Sequence, residues 1–216
     1  MEKIVYKFII RILVWIHNFS YRLIGVLSIK ENGGIHPKHR ILNYYDFFLK
    51  NISHTDKVLD IGCGNGACAQ AVSKKAAKVT GIDISKKNIQ TAKEKFPNGN
   101  LKYIIGDATS YDFKESFDVI ILSNALEHIG NRIAFLEKIK GLAPKILIRV
   151  PLLTRDWLAV YKKEKGFEYR LDPTHCIEYT EEIFKDEMDK VKLKIDNCYT
   201  NFGELYAVIN TKNVSI

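Results

Sequence analysis

The 216-residue chain has little cysteine: four residues, Cys63, Cys68, Cys176 and Cys198, with no C-x-x-C pair among them. A disulfide framework is therefore not expected, and Cys63 falls inside a glycine turn where such a bond would be awkward. A reducing cytoplasm suits these thiols, read as small buried or half-buried side chains. The chain also lacks internal repeats and low-complexity linkers, so its length fits one domain with appendages rather than two. No small-residue cleavage site follows the apolar N-terminus, where Tyr21 and Arg22 run on into Ile24 and Val26, so no secretory signal is read there. Nor does an uninterrupted apolar run approach the roughly 18 residues of a spanning helix, because Lys3, Lys7, Arg11, Asn18 and Arg22 break it at helical spacing. On that count the segment is not expected to span a membrane.

What is present is ordinary in bulk. A hydrophobic content of 46% and a charged content of 27% exclude wholesale disorder and a bundle of membrane spans. The net charge of +8 favours an anionic partner: nucleic acid, a phospholipid surface or a phosphorylated substrate. Residues 1–31 are predicted to form an amphipathic helix with a narrow basic stripe beside a broad apolar face that includes Trp15. An anionic membrane surface would cover such a face, giving a cytoplasmic protein peripheral to the inner membrane face. Packing on its own domain or on a second copy in a homodimer would cover it equally well.

Residues 32–216 are predicted to form the domain. After Asn32-Gly33-Gly34, a helix is expected from His36-Pro37 through Leu49. From Lys57 the pattern alternates: strand 57–61, helix 65–74, strand 77–82, helix 85–95, strands 101–105 and 117–122, helix 131–142, strand 145–150. Such alternation implies an α/β fold with a parallel sheet and helices on both faces. A helix over 181–189 precedes two β-rich stretches, 191–195 and 204–209, separated by Asn201-Phe202-Gly203 and able to pair as an antiparallel hairpin. Residues 151–179 are too long and too aromatic for a simple connection and read as a cap on the acceptor side. Arg155, Trp157, Tyr161, Lys162, Lys163, Lys165, Tyr169 and Arg170 interleave charge with rings there, suited to gripping phosphate while stacking on a ring or sugar.

The strongest local signal is Val58-Leu59-Asp60-Ile61-Gly62-Cys63-Gly64-Asn65-Gly66, an apolar strand running into three glycines at alternate positions. A chain that turns sharply off a strand while a ligand touches its backbone tolerates few Cβ atoms. Gly62, Gly64 and Ala67 also satisfy the looser G-x-G-x-x-A pattern of dinucleotide sites, which keeps a nicotinamide or flavin enzyme in view. Four features favour a different ligand. Asp60 stands at the strand tip, where a carboxylate can orient water or an ammonium group. Asp83 ends the second strand, at the distance expected for an acceptor of two ribose hydroxyls. Asp107 follows the third strand, placed to accept from an adenine amino group. The fourth strand exits through Leu122-Ser123-Asn124.

Together these residues resemble the class I, S-adenosylmethionine-dependent methyltransferases over Val58 to about Val150. The resemblance implies a Rossmann-like fold, a mostly parallel seven-stranded sheet with a C-terminal antiparallel hairpin. It implies S-adenosylmethionine held by Gly62, Gly64, Asp83 and Asp107, with Asp60, Cys63, Ile84, Ala108 and Ser123 in the adjoining turns. A closer likeness is to the ubiquinone-biosynthesis O-methyltransferases and their relatives. Leu126-Glu127-His128 matches their Leu-Glu-His step, Thr174-His175 their Thr-His step, and His36-Pro37-Lys38-His39-Arg40 is similar to an Asn-Pro-x-Arg segment whose arginine holds the cofactor carboxylate. Arg40 would take that role, with the spacing off by about one residue. His128 is then the candidate base, with Glu127 beside it and His175 as rival or acceptor-holding group. Some quinone enzymes bind a divalent metal through a further glutamate where this chain has Asn124, so no metal is expected. The implied reaction is O-methylation of a small or lipid-linked acceptor, a glycan hydroxyl or a quinone-type phenol. RNA methylation lacks an Asn-Pro-Pro-Tyr step and an RNA-binding module here; a non-catalytic cofactor-binding interaction protein would not need His128.

Overall fold

Parallel strands buried on both faces read as near-continuous apolar runs, and alternate residues of each run serve opposite cores. In the computed structural model, which describes residues 2–34, 36–97 and 99–212, this holds for β1 (Lys57–Ile61), β2 (Lys78–Asp83), β4 (Val119–Ser123) and β5 (Lys145–Pro151), while β3 (Leu101–Ile105), at the sheet edge, is only partly buried. In β4, Ile120 and Leu122 join one core while Val119 and Ile121 join the other. The first core is closed by α6 (Arg132–Ile139) and α8 (Glu181–Lys190) through Phe135, Leu136, Phe184 and Met188. The second is closed by α3 (Tyr45–Asn51) and α4 (Ala67–Ser73) through Phe47, Phe48, Ala69 and Val72. A further helix, α5 (Lys86–Lys95), joins β2 to β3 and is capped by the Ser85 hydroxyl, which accepts from the Asn88 N–H at 3.2 Å.

The strands run in the order β3-β2-β1-β4-β5-β7-β6, where β6 is Lys194–Asn201 and β7 is Glu204–Asn210. β7 enters antiparallel to β5, and β6 antiparallel to β7. This is the mostly parallel sheet with a terminal hairpin that the sequence implies. Reversal of strand order between β1 and β4 opens a crevice at their carboxyl ends, where ligands of open α/β sheets bind.

Three boundaries differ from the sequence reading, each for a local reason. The pre-domain helix is two short ones, α2 (Lys38–Leu42) and α3, because Asn43 takes a left-handed φ of 45° between them. The first hairpin strand covers 194–201 rather than 191–195. Val191 and Leu193 are apolar because they plug the core in the connection after α8, whereas β6 is an edge strand with most of its side chains in solvent. The helix expected from Asn65 starts at Ala67, since Gly66 at φ 81° is its non-helical cap.

Residues 2–31 form one helix, α1 (Glu2–Glu31), of which only Val14 is buried. Ile10 and Ile29 are half-buried, and most of its other apolar side chains are exposed. By length and composition α1 meets the requirements of a membrane span, with an 18-residue window of mean hydropathy 1.4, which the count of uninterrupted apolar residues did not anticipate. Lys3, Lys7 and Arg11 line a groove against Tyr161 and Phe167 of the cap, whose helix α7 spans Trp157–Glu164. Ile4, Phe8 and Ile10 share that groove, while Trp15, Ile16, Phe19 and Leu23 are exposed.

Candidate functional site

Leaving β1, the chain turns through Gly62 at φ 71° and Gly64 at φ 54°, conformations that side chains resist. A methyl group on Gly62 would meet the Ala125 Cβ at 2.8 Å, so that glycine lets β1 and the turn after β4 approach. Around Gly64 nothing lies within 4 Å of the missing Cβ, leaving bare backbone open to a ligand. Beside this turn lies a cavity of about 570 Å³ at the carboxyl edge of the sheet. Gly62, Asp83, Ile84, Asp107, Ala108, Asn124 and His128 all line it.

Of the residues predicted to hold the cofactor, five thus share one cavity wall. Asp83 is committed on both oxygens: Oδ2 accepts from the Gly64 N–H and Oδ1 from the Ser85 N–H, each at 2.8 Å. It therefore fixes the glycine turn as well as facing the cavity. Asp107 Oδ1 accepts from the Thr109 N–H at 2.9 Å and its hydroxyl at 2.7 Å, which aims the loop after β3. Asp60 and Cys63 are buried behind this wall, and Ser123 ends β4 without lining the cavity. Arg40 is exposed on α2 and is not brought to the cavity.

Asp60 is 1% exposed with Oδ2 unpartnered, and burial, then the nearby Asp83, raises its pKa from 3.8 to about 7. A buried carboxylate left short of a donor suits a ligand that brings an ammonium group to the turn. The sign for stability follows from linkage. With the folded pKa above the unfolded value, the stabilising proton is fully present below about pH 3.8 and is lost as pH rises through about 7. Asp60→Asn is accordingly expected to raise the Tm of the ligand-free chain at pH 8 and leave it unchanged at pH 3.5. A pH-dependent thermal-melt series checks this, and equal shifts at both pH values would refute it.

On the far side of the cavity, a 3-10 turn over Leu126–His128 follows β4. His128 Nδ1 lies 3.0 Å from the Thr174 hydroxyl, which itself lies 2.7 Å from Asp172 Oδ1. An ionised Asp172 can only accept, so the hydroxyl donates to it and accepts from His128 Nδ1–H. That fixes the tautomer, leaving Nε2 with the free lone pair a base requires. Burial, then His175, lowers the His128 pKa from 6.5, which keeps the imidazole neutral. His175 is buried, its ring centroid 4.6 Å from that of His128, and its Nδ1 donates to Glu178 at 2.8 Å. Glu127 is fully buried with neither oxygen partnered, and burial raises its pKa to about 7. Ligand atoms of Glu127, His128 and His175 lie within 4.8 Å of one another, a grouping that could hold a divalent cation.

The segment from Val58 to Pro144 matches the methyltransferase domain family (residues 58–144). The chain is 32% identical to a ubiquinone biosynthesis O-methyltransferase of Bradyrhizobium diazoefficiens, over 63% of this chain and 56% of that one. To the enzyme of the same name from Pelagibacter ubique it is 36% identical, over 60% and 51% respectively. The chain thus spans about half the length of these curated relatives. Its fold matches the crystal structure of a TehB-like SAM-dependent methyltransferase from Corynebacterium glutamicum with a TM-score of 0.63, at 18% identity, covering 91% of this chain and 98% of that one. Residues 58–144 thus match a methyltransferase domain, carried on a fold shared with a solved SAM-dependent methyltransferase.

The methyltransferase domain also has polar groups at its site that the motifs did not single out. Arg149, 3% exposed on β5, donates from Nε to Asn124 Oδ1 at 2.9 Å, pairs with Glu204 at 3.3 Å, and stacks 3.5 Å from the centroid of the Tyr44 ring. Asn124, held at φ 53°, is thereby fixed at the cavity wall. The signal was present in sequence: Arg149 is a lone charge inside Ile146-Leu147-Ile148-Arg149-Val150, a strand that is otherwise apolar. The Asp172–Thr174–His128 relay links two steps the sequence did single out, through a contact between residues 46 apart that neither step shows by itself.

Proposed function

We propose that this protein is an O-methyltransferase acting on a small or lipid-linked acceptor, a quinone-type phenol or a glycan hydroxyl. The observation that carries this is the position of His128, tautomer-locked by Thr174, on the wall of the cavity that Asp83 and Asp107 also line. S-adenosylmethionine supplies an activated methyl group on a sulfonium centre. Gly62, Asp83 and Asp107 would hold it, the carboxylates receiving its hydroxyl and amino hydrogens. His128 Nε2 takes the proton of the acceptor hydroxyl as the new O–C bond forms and the S–C bond breaks, so a neutral thioether leaves. His175 and Glu127 are buried behind His128, the His175 ring centroid 4.6 Å from that of His128, and would orient it toward the acceptor. The names of the curated relatives favour a phenolic oxygen. Screening phenols, polyprenylated phenols and glycans for release of S-adenosylhomocysteine tests the reading; release with RNA alone would overturn it.

A lipid surface is the proposed cover for the outward face of α1, where Ile9, Ile12, Ile16, Phe19 and Leu23 are exposed. Such a helix lies in the interface with its apolar face among the acyl chains, presenting amphiphilic acceptors to the domain. Deletion of residues 1–27 is expected to abolish sedimentation with anionic vesicles while S-adenosylmethionine affinity stays within twofold of the intact chain, on the order of experimental error in calorimetry. Undiminished sedimentation of the truncated protein would reject the lipid role; aggregation in its place would point to a protein partner for α1.

A further inference from the structure

Where α1 crosses the cap, a second cleft of about 90 Å³ opens, away from the cofactor cavity. Its walls carry Arg22 of α1 and Arg155, Lys162 and Arg170 of the cap, against the single carboxylate of Asp156. Two of these cations are already neutralised. Arg155 pairs with Glu178 and Arg170 with Glu168, which fixes their guanidinium groups in place. The other two are not. Lys162 is only 6% exposed, yet its ammonium donates to neutral acceptors alone, Asn18 Oδ1 at 2.7 Å and His17 Nδ1 at 3.1 Å. Arg22 is exposed and pairs with no carboxylate among the described residues.

Burying an ammonium without a counter-ion is costly, and a fold retains it where an anion completes the site. Asp156 offsets only part of this charge: its Oδ1 caps α7, accepting from the Ala159 N–H at 2.7 Å, and its Oδ2 lies 3.9 Å from the Arg155 guanidinium, so one carboxylate faces both Lys162 and Arg22. The cleft sits on the seam of a helix whose exposed apolar residues fit a lipid surface, and an anion arriving there from that surface would be the head of an amphiphile.

We infer that this cleft binds a phosphate group borne on a lipid, with Lys162 and Arg22 as its charge partners. The choice of a lipid carrier rests on the lipid-facing reading of α1; the phosphate seat rests on the cleft itself. The phosphate belongs either to phosphatidic acid in the bilayer or to a polyprenyl monophosphate, and in both cases the recognised chemistry is a phosphate monoester beside an apolar tail.

The test is sedimentation of the full chain with phosphatidylcholine vesicles, alone or doped with phosphatidic acid or with a polyprenyl monophosphate. Doping is expected to strengthen binding, and R22Q/K162Q to lose about tenfold to thirtyfold of that gain, given the attraction of each cation near an anionic surface. R22Q alone, at an exposed position, is expected to lose part of it without threatening the fold. A control of matched charge, K30Q/K165Q, is expected to lose little. A gain with phosphatidic acid identifies the bilayer as the source, and a gain with the polyprenyl phosphate alone identifies an acceptor. Equal binding to doped and undoped vesicles would overturn the phosphate site while leaving α1 as a lipid anchor. Equal losses in R22Q/K162Q and the control would reduce the effect to diffuse charge and overturn it too. No binding to any vesicle would refute both readings.

Discussion

Replacing His128 with alanine is expected to lower turnover by about 10²–10⁴-fold while leaving S-adenosylmethionine affinity nearly unchanged, the range for loss of a positioned general base. The expectation rests on His128 lining the cofactor cavity and on the hydrogen bond from its Nδ1 to Thr174, which leaves Nε2 unprotonated. The pH profile carries the same information. A base works in its deprotonated form, and burial holds the His128 pKa below 6.5, so the acidic limb of kcat is expected below pH 6.5 with a plateau above it. His175 is set apart by its buried bond to Glu178, which fixes its ring against that of His128. His175→Ala is therefore expected to act chiefly on KM and His128→Ala on kcat. Near-normal kcat in His128→Ala across pH 6–9 would remove the base from the mechanism.

The second large effect falls on binding. Asp83→Ala is expected to weaken S-adenosylmethionine by about 1.5–3 kcal/mol, one to two orders of magnitude in Kd, as two hydroxyls lose a charged acceptor. Asp83 also holds the Gly64 N–H, so its loss relaxes the turn that gives the ligand its bare backbone. Asp83→Asn keeps an acceptor for that N–H and is expected to fall between wild type and alanine. Calorimetry on the folded variants checks both, and unchanged affinity in Asp83→Ala would detach Asp83 from the ligand.

The sheet and the cofactor wall were legible because both are written locally. β1 and β3 fall where the apolar runs place them, and the acids at 83 and 107 follow directly from strand ends. Readings failed where identity at a position is set by distant partners. Val191 and Leu193 looked like strand because apolar residues at alternate positions do not say whether they face a sheet neighbour or plug a core. Arg40 rests on the resemblance alone, with the spacing off by about one residue, and it lies exposed on α2 outside the cavity. The outward apolar face of α1 and the buried ammonium of Lys162 emerge only when helix and cap meet in space, through residues 144 apart. Such contacts leave no periodicity to read.

The most direct test of the account is a calorimetric titration of the full chain with S-adenosylmethionine and, separately, NADH. The glycine turn, open at Gly64 and held by Asp83, and the short-handed Asp60 predict stoichiometric binding of S-adenosylmethionine, with no heat from NADH. A folded chain that binds NADH in preference, or that gives no heat with S-adenosylmethionine, would contradict it.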